Sequence, residues 1–192
     1  LAHPGLLGDD PLVVSLAGRV PDHALPRAFY TSAEMLDVDL AEVWYKDWLF
    51  AIPSCEIPKT GNFVTLQVGE YPVLIVRGAD GQIRAFHNSC RHRGSRVCTA
   101  VKGSAPKLVC PYHQWTYELD GRLLYARDMG ADFKPADHGL RPVACTDAGG
   151  MVFVCLADEP PAIDGMVETA RRYLAPHRLT DAKIAFESTI IE

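Results

Sequence analysis

The sequence predicts a mainly β domain with flanking helices, its strands arranged as a small antiparallel sandwich or barrel. Three observations predict it. Short runs rich in β-branched and apolar residues, at 63–68, 72–76 and 83–87, recur at spacings of ~8 to 12 residues between Phe50 and Leu156. The dipeptides Asp80-Gly81 and Asp120-Gly121 fall between such runs and favour tight hairpins. Helical signals are confined to the flanks: Leu36, Leu40, Val43 and Trp44 at helical spacing on one side, and a cap and stop bounding 164–173 on the other.

Taken in order, residues 1–27 carry Pro4, Pro11, Pro21 and Pro26 among scattered glycines and read as an extended leader. Residues 28–60 form a helical N-terminal segment leading into the first strand. Thr31 followed by Glu34 is a capping-box pattern, and the helix it opens, broken once, is expected to run to about Trp48. The β domain occupies 61–160. Within 161–192, Asp164 is placed to cap a helix through Tyr173 that Pro176 ends, and Ile184, Phe186 and Ile190 read as a further strand without an obvious partner.

The chain has 192 residues, 48% hydrophobic and 22% charged, enough for one sizeable core. Nineteen Lys and Arg against 24 Asp and Glu leave a formal charge of −5, so no basic face for nucleic acid is expected. The longest apolar stretches, 73–76 and 151–156, fall far short of the ~20 residues a membrane helix needs. No Lys or Arg precedes a short apolar run at the start, which argues against a secretory signal and makes a cytoplasmic location the expectation. The chain begins at Leu1 and stops inside an expected strand, so it reads as a piece of something longer.

The chemistry lies in FHNSCRHRGSRVCTAVKGSAPKLVCPYHQW, from Phe86 to Trp115. Cys90 and His92 form C-x-H, Cys110 and His113 form C-x-x-H, and 17 residues separate His92 from Cys110. Two loops, each following a strand, thus offer one thiolate and one imidazole apiece. That set suits a [2Fe-2S] cluster with Cys90 and Cys110 on one iron and His92 and His113 on the other. Tetrahedral zinc accepts the same donors, although zinc sites generally pair cysteines as C-x2-4-C. A Cys90–Cys110 disulfide would leave two histidines without a purpose.

These motifs, C-x-H-R-G at Cys90 to Gly94 and C-P-Y-H-x-W at Cys110 to Trp115, resemble those of Rieske proteins, and specifically the N-terminal part of the large subunit of Rieske non-haem iron oxygenases. The resemblance implies a Rieske [2Fe-2S] antiparallel β sandwich with an inserted two-loop lobe, the four ligands Cys90, His92, Cys110 and His113, and supporting positions at Arg93, Gly94, Tyr112 and Trp115. It implies no catalytic residue in this chain. The family's mononuclear Fe(II) site, with its D-x-x-H-x4-H-like stretch, belongs to a C-terminal catalytic domain, and that spacing is absent among the seven histidines here. Such a piece takes up an electron but hydroxylates nothing alone. The implied partners are an NAD(P)H-dependent reductase carrying flavin and iron-sulfur, and, for the full-length subunit, two further copies in a head-to-tail homotrimer.

C-P-Y-H-Q-W-T-Y, with Gln114 in place of the usual glycine, together with RHRGSRVC resembles the subgroup that N-demethylates quaternary ammonium compounds such as glycine betaine. An aromatic-ring dioxygenase subunit and a stand-alone Rieske ferredoxin are the alternatives. Respiratory Rieske proteins carry an extra cysteine in each loop, where this chain has Ser95 and Tyr112, and a sulfur-bonding serine where it has Trp115. Without hydroxyls on sulfur, the potential is expected near the low end of the ~−150 to +300 mV Rieske range. Cys55, Cys98, Cys145 and Cys155 read as small core residues. His87 reads as a strand-end support, while His3, His23, His138 and His177 read as solvated. Arg91, Arg93 and Arg96 form a basic run around the first loop that suits charge compensation or an acidic electron donor.

Overall fold

The computed structural model describes residues 14 and 16–185. Among them run the strands β1 (Leu49–Pro53), β2 (Asn62–Val68), β3 (Tyr71–Arg77), β4 (Ile83–His87), β5 (Lys102–Ser104), β6 (Leu108–Val109), β7 (Thr116–Tyr117), β8 (Leu123–Tyr125), β9 (Pro142–Asp147) and β10 (Met151–Cys155). Every pairing is antiparallel. One sheet has the order β1-β10-β9-β4-β3-β2-β5, and a smaller one the order β6-β7-β8.

β3 explains the unbroken apolar run at its centre. Val73, Leu74, Ile75 and Val76 are all completely buried. Side chains alternate across a strand, so Leu74 and Val76 enter one core with Phe86, Leu108 and Trp115, while Val73 and Ile75 enter a second with Ile52, Val64 and Val152. A strand covered on both faces reads as continuous rather than alternating hydrophobicity. Each such side chain contributes about 1.5–3 kcal/mol by burial. The first core also contains Cys90 and Cys110.

The turns differ from the expected tight hairpins. Asp80-Gly81 lies in a longer connection, closed by the Gly78 N–H on the Gln82 carbonyl at 2.8 Å. Arg84 grips the Asp80 carboxylate through two hydrogen bonds, 2.8 and 2.6 Å, which hold that carboxyl well below the usual carboxylate range. At Gly121, φ is +88° and any Cβ would collide with the Phe86 ring, so both conformation and space require glycine.

The helical flank is capped one residue later than expected. Ser32, extended at φ −86° and ψ 144°, accepts the Met35 N–H on its side chain at 3.0 Å and starts α2 (Ala33–Asp39). Thr31 instead ends α1 (Ala28–Thr31) and bonds back to the Arg27 carbonyl. α2 widens into a π turn, Leu40–Trp44, which is the expected break. Tyr45 seats the segment on the β2–β3 turn by accepting the Glu70 N–H at 3.1 Å and packing edge-on against Tyr71 at 4.8 Å. α3 (Asp164–Leu174) begins at Asp164 itself, with no side-chain cap, and Pro176 sits in the 3-10 turn that follows. Residues 182–185 are not in a strand; the remainder of the expected strand, Phe186 to Ile190, lies outside the described residues, as does most of the leader. Among the described residues no helix is long and apolar enough to cross a membrane.

Candidate metal centre

The first loop joins β4 to β5 and carries Cys90 and His92; the second joins β6 to β7 and carries Cys110 and His113. Both are built to one plan. The Cys90 N–H donates to the Ser95 carbonyl at 2.8 Å, and the Cys110 N–H to that of Trp115 at 2.9 Å. Returning bonds run from the Gly94 N–H to the Cys90 carbonyl and from the Gln114 N–H to the Cys110 carbonyl, at 2.9 and 3.0 Å. Gly94 and Gln114 are accordingly both left-handed, at φ 73° and 58°. Glycine adopts that region freely, whereas a side chain there costs about 1 kcal/mol, so the second loop keeps its shape under strain.

Asn88 ties off the base of the first loop. Almost fully buried, it accepts the Val97 and Cys98 N–H groups on Oδ1 at 3.0 and 2.9 Å and donates from Nδ2 to the Cys98 carbonyl at 2.7 Å. Sequence reasoning missed it, because periodicity carries no mark of a buried amide.

The fold brings the four nominated side chains together as two pairs. Cys90 and Cys110 are buried neighbours, 4% and 1% exposed. Burial holds the Cys90 thiol above its ordinary value and Cys110 adds to the shift, against hydrogen bonds from Tyr117 and the His92 N–H. Such thiols ionise when a cation takes the proton's place. The His92 and His113 rings meet at 4.6 Å and 74°. Burial, then the neighbouring His113 and Arg93, pushes the His92 pKa down, toward the neutral imidazole that binds metals. Its Nδ1 is buried with no hydrogen-bond partner. Leaving such a nitrogen unsatisfied costs about 1–3 kcal/mol, and a metal beside two buried thiols is the partner it fits. Among the described residues no group of three or more His, Cys, Asp or Glu side chains converges on a single ion. A two-iron centre instead spreads its donors over two metals.

The four supporting positions separate. Trp115 is 2% exposed and stacks on His92 at 5.0 Å and 10°. Tyr112 stands outside, 61% exposed, with its ring 3.8 Å from that of His113. Arg93 is exposed, and Gly94 supplies the left-handed turn. Tyr117 was not foreseen. Completely buried, its hydroxyl accepts the Arg91 N–H at 3.0 Å and lies 3.2 Å from Cys90 Sγ. The backbone bond occupies an oxygen lone pair and leaves the hydroxyl hydrogen for sulfur. The expectation of sulfur without a hydroxyl therefore fails: Trp115 stands in the serine's place, but Tyr117, two residues on, supplies the donor. Its signal was the final Tyr of C-P-Y-H-Q-W-T-Y.

All six cysteines are free thiols. Burial pushes Cys98 up to about 11 and, with a further contribution from Asp147, Cys145 up to about 12. His87 ends β4, its ring 5.8 Å from Tyr71, and takes no part in the quartet. His138 is half-buried and so only partly solvated: one face packs 4.4 Å from Phe133 and 5.9 Å from Trp115. His23 and His177 are exposed; His3 lies outside the described residues.

A curled antiparallel sheet and paired loops that carry a buried thiol pair and a pair of adjacent imidazoles describe a class. Residues 47–145 match the family described as "Rieske [2Fe-2S] domain", and the chain belongs to that family. It is 53% identical over 192 residues to the glycine betaine monooxygenase oxygenase subunit of Chromohalobacter salexigens, covering 96% of this chain and 43% of the relative. It is 30% identical to the carnitine monooxygenase oxygenase subunit of Acinetobacter baumannii, over 73% of this chain and 41% of the relative. The chain thus spans less than half the length of these curated relatives. Among solved structures, the apo quaternary ammonium Rieske monooxygenase CntA superposes with a TM-score of 0.76 at 28% identity, over 85% of this chain and 49% of that one. Naphthalene 1,2-dioxygenase from Rhodococcus sp. superposes at 0.71 and 30%, over 78% and 35%.

Proposed function

We propose that Cys90 and Cys110 hold one iron and His92 and His113 the other iron of a Rieske [2Fe-2S] cluster. On this reading the chain is the electron-delivery part of an oxygenase subunit acting on a small quaternary ammonium compound such as glycine betaine, by oxidative N-demethylation. The observation that carries the site is the unpartnered, buried Nδ1 of His92, two residues from Cys90, whose thiol is buried with that of Cys110. The substrate class is supported by the 53% identity to a glycine betaine monooxygenase subunit.

Bound there, the cluster supplies a one-electron couple. The chain's own residues set its surroundings. Trp115, with Leu108 and Leu140, excludes water from the thiol side. Tyr117 aims its hydroxyl hydrogen at Cys90 Sγ. His92 and His113 are only partly covered, so a cluster they held would lie near the surface, within short reach of an electron acceptor. With Nδ1 inward, Nε2 of His92 is the atom that holds a proton as negative charge accumulates.

In this reading 1–27 is a leader, 28–60 a helical approach, 61–160 the Rieske domain, and 161–192 the connection to a catalytic domain with a mononuclear Fe(II), outside these residues. Electrons come from an NAD(P)H-dependent flavin and iron-sulfur reductase, and the full subunit forms a head-to-tail homotrimer in the cytoplasm. An aromatic-ring dioxygenase is the second reading, favoured by 32% identity to the anthranilate 1,2-dioxygenase large subunit of Acinetobacter baylyi.

Purified protein is expected to contain iron and acid-labile sulfide and to give a Rieske EPR signal when reduced. His92→Cys and His113→Cys each alter or abolish that signal. An unchanged spectrum in either variant, or zinc without sulfide, overturns the site. The full-length subunit with its reductase is expected to release formaldehyde from glycine betaine.

A further inference from the structure

We propose that a basic pocket beside the first loop is the anchor for a carboxylate side chain of the electron-donor protein. The inference rests on the reading above, in which electrons arrive from a separate reductase. A cavity of about 490 Å³ opens between β3, the end of β4 and the first loop, with His87, Arg91, Arg141 and Cys90 among its lining residues. Among the described residues neither the Arg91 nor the Arg141 guanidinium has a hydrogen bond or ion pair, and Arg91 Nε is buried without a partner. Several arginines elsewhere in the chain are matched with carboxylates: Arg84 with Asp80, Arg122 with Asp120, Arg178 with Asp181.

No carboxylate lines this cavity. Asp158, which faces His87 and Arg141 from the adjoining cavity, forms no ion pair with either arginine. Arg93 and Arg96 lie exposed on the same loop, so this face is basic although the chain carries −5 overall. Two unpaired guanidinium forks in a concave wall match a carboxylate in geometry and charge, and the concavity focuses their field. A donor seated here would stand on the Cys90 side, leaving the His92 and His113 edges free for onward transfer.

The test uses the full-length holoprotein, titrated calorimetrically with a hexaglutamate peptide and separately with succinate at low ionic strength. The peptide is expected to bind, to weaken about tenfold in Arg141→Gln, and to be unaffected by Arg172→Gln on α3. Reduction by the reductase should slow in Arg141→Gln, while reduction by dithionite does not. No peptide binding, equal affinity in Arg141→Gln, or succinate binding as tightly as the peptide overturns the anchor. Failure of the underlying reading is distinguishable, because it shows beforehand as missing iron and sulfide.

Discussion

Tyr117→Phe isolates one hydroxyl. The ring stays, so the core around Trp115 and Leu119 keeps its packing, and what is lost is the donor 3.2 Å from Cys90 Sγ and the acceptor 3.0 Å from the Arg91 N–H. A hydrogen bond to ligand sulfur stabilises the more electron-rich, reduced state, so removing it lowers the potential. A neutral hydrogen bond is worth about 0.5–1.5 kcal/mol net, and for a one-electron couple ~1.4 kcal/mol corresponds to ~59 mV. The expected drop is therefore about 20–60 mV. The unsatisfied Arg91 N–H adds a loss of about 1–3 kcal/mol in stability. A redox titration followed by EPR or visible absorption reads the potential, and thermal unfolding reads the stability. Tyr112→Phe is the control, since its exposed hydroxyl has no hydrogen bond among the described residues, and it should move the potential little. A Tyr117→Phe protein with an intact cluster and an unchanged or raised potential would refute the reasoning.

Four further expectations follow from the site and its frame. Gln114→Gly relieves the left-handed strain and should raise stability by about 0.5–1 kcal/mol, or ~1–4 °C in Tm, with the EPR signal retained. Asn88→Ala strands the Val97 and Cys98 N–H groups, so a loss of about 2–5 kcal/mol and faster cluster loss to a chelator are expected, read by unfolding and bleaching. Cys145 has its pKa raised from an ordinary 9.0 to about 12, so the stability due to its neutral thiol is complete below pH ~9 and declines as pH climbs toward 12. Urea titrations at pH 7 and pH 10.5 should show Cys145→Ala losing less stability between the two than the parent. Cys98→Ser should leave the EPR spectrum as it was, its thiol belonging to the loop base and not to the quartet.

What the sequence revealed was local. The strands at 63–68, 72–76 and 83–87 and the paired Cys/His loops were legible because their signals span a few residues. Asn88 and Tyr117 were not, since their partners lie 10 and 27 residues away in the chain. The Thr31 cap was misplaced by one because adjacent hydroxyls look alike in sequence, and only the extended backbone of Ser32 decides between them. The double covering of β3 was also hidden. A continuous apolar run announces burial but not how many neighbours share it.

That sharing has a mechanical consequence. With Leu74 and Val76 facing the lobe and Val73 and Ile75 facing away from it, one strand serves as a party wall. Melting either compartment bares half of the other, so the lobe and the sheet should come apart in one step. The loop segment moved alone to a foreign scaffold, without a strand to replace this wall, would have no floor to stand on.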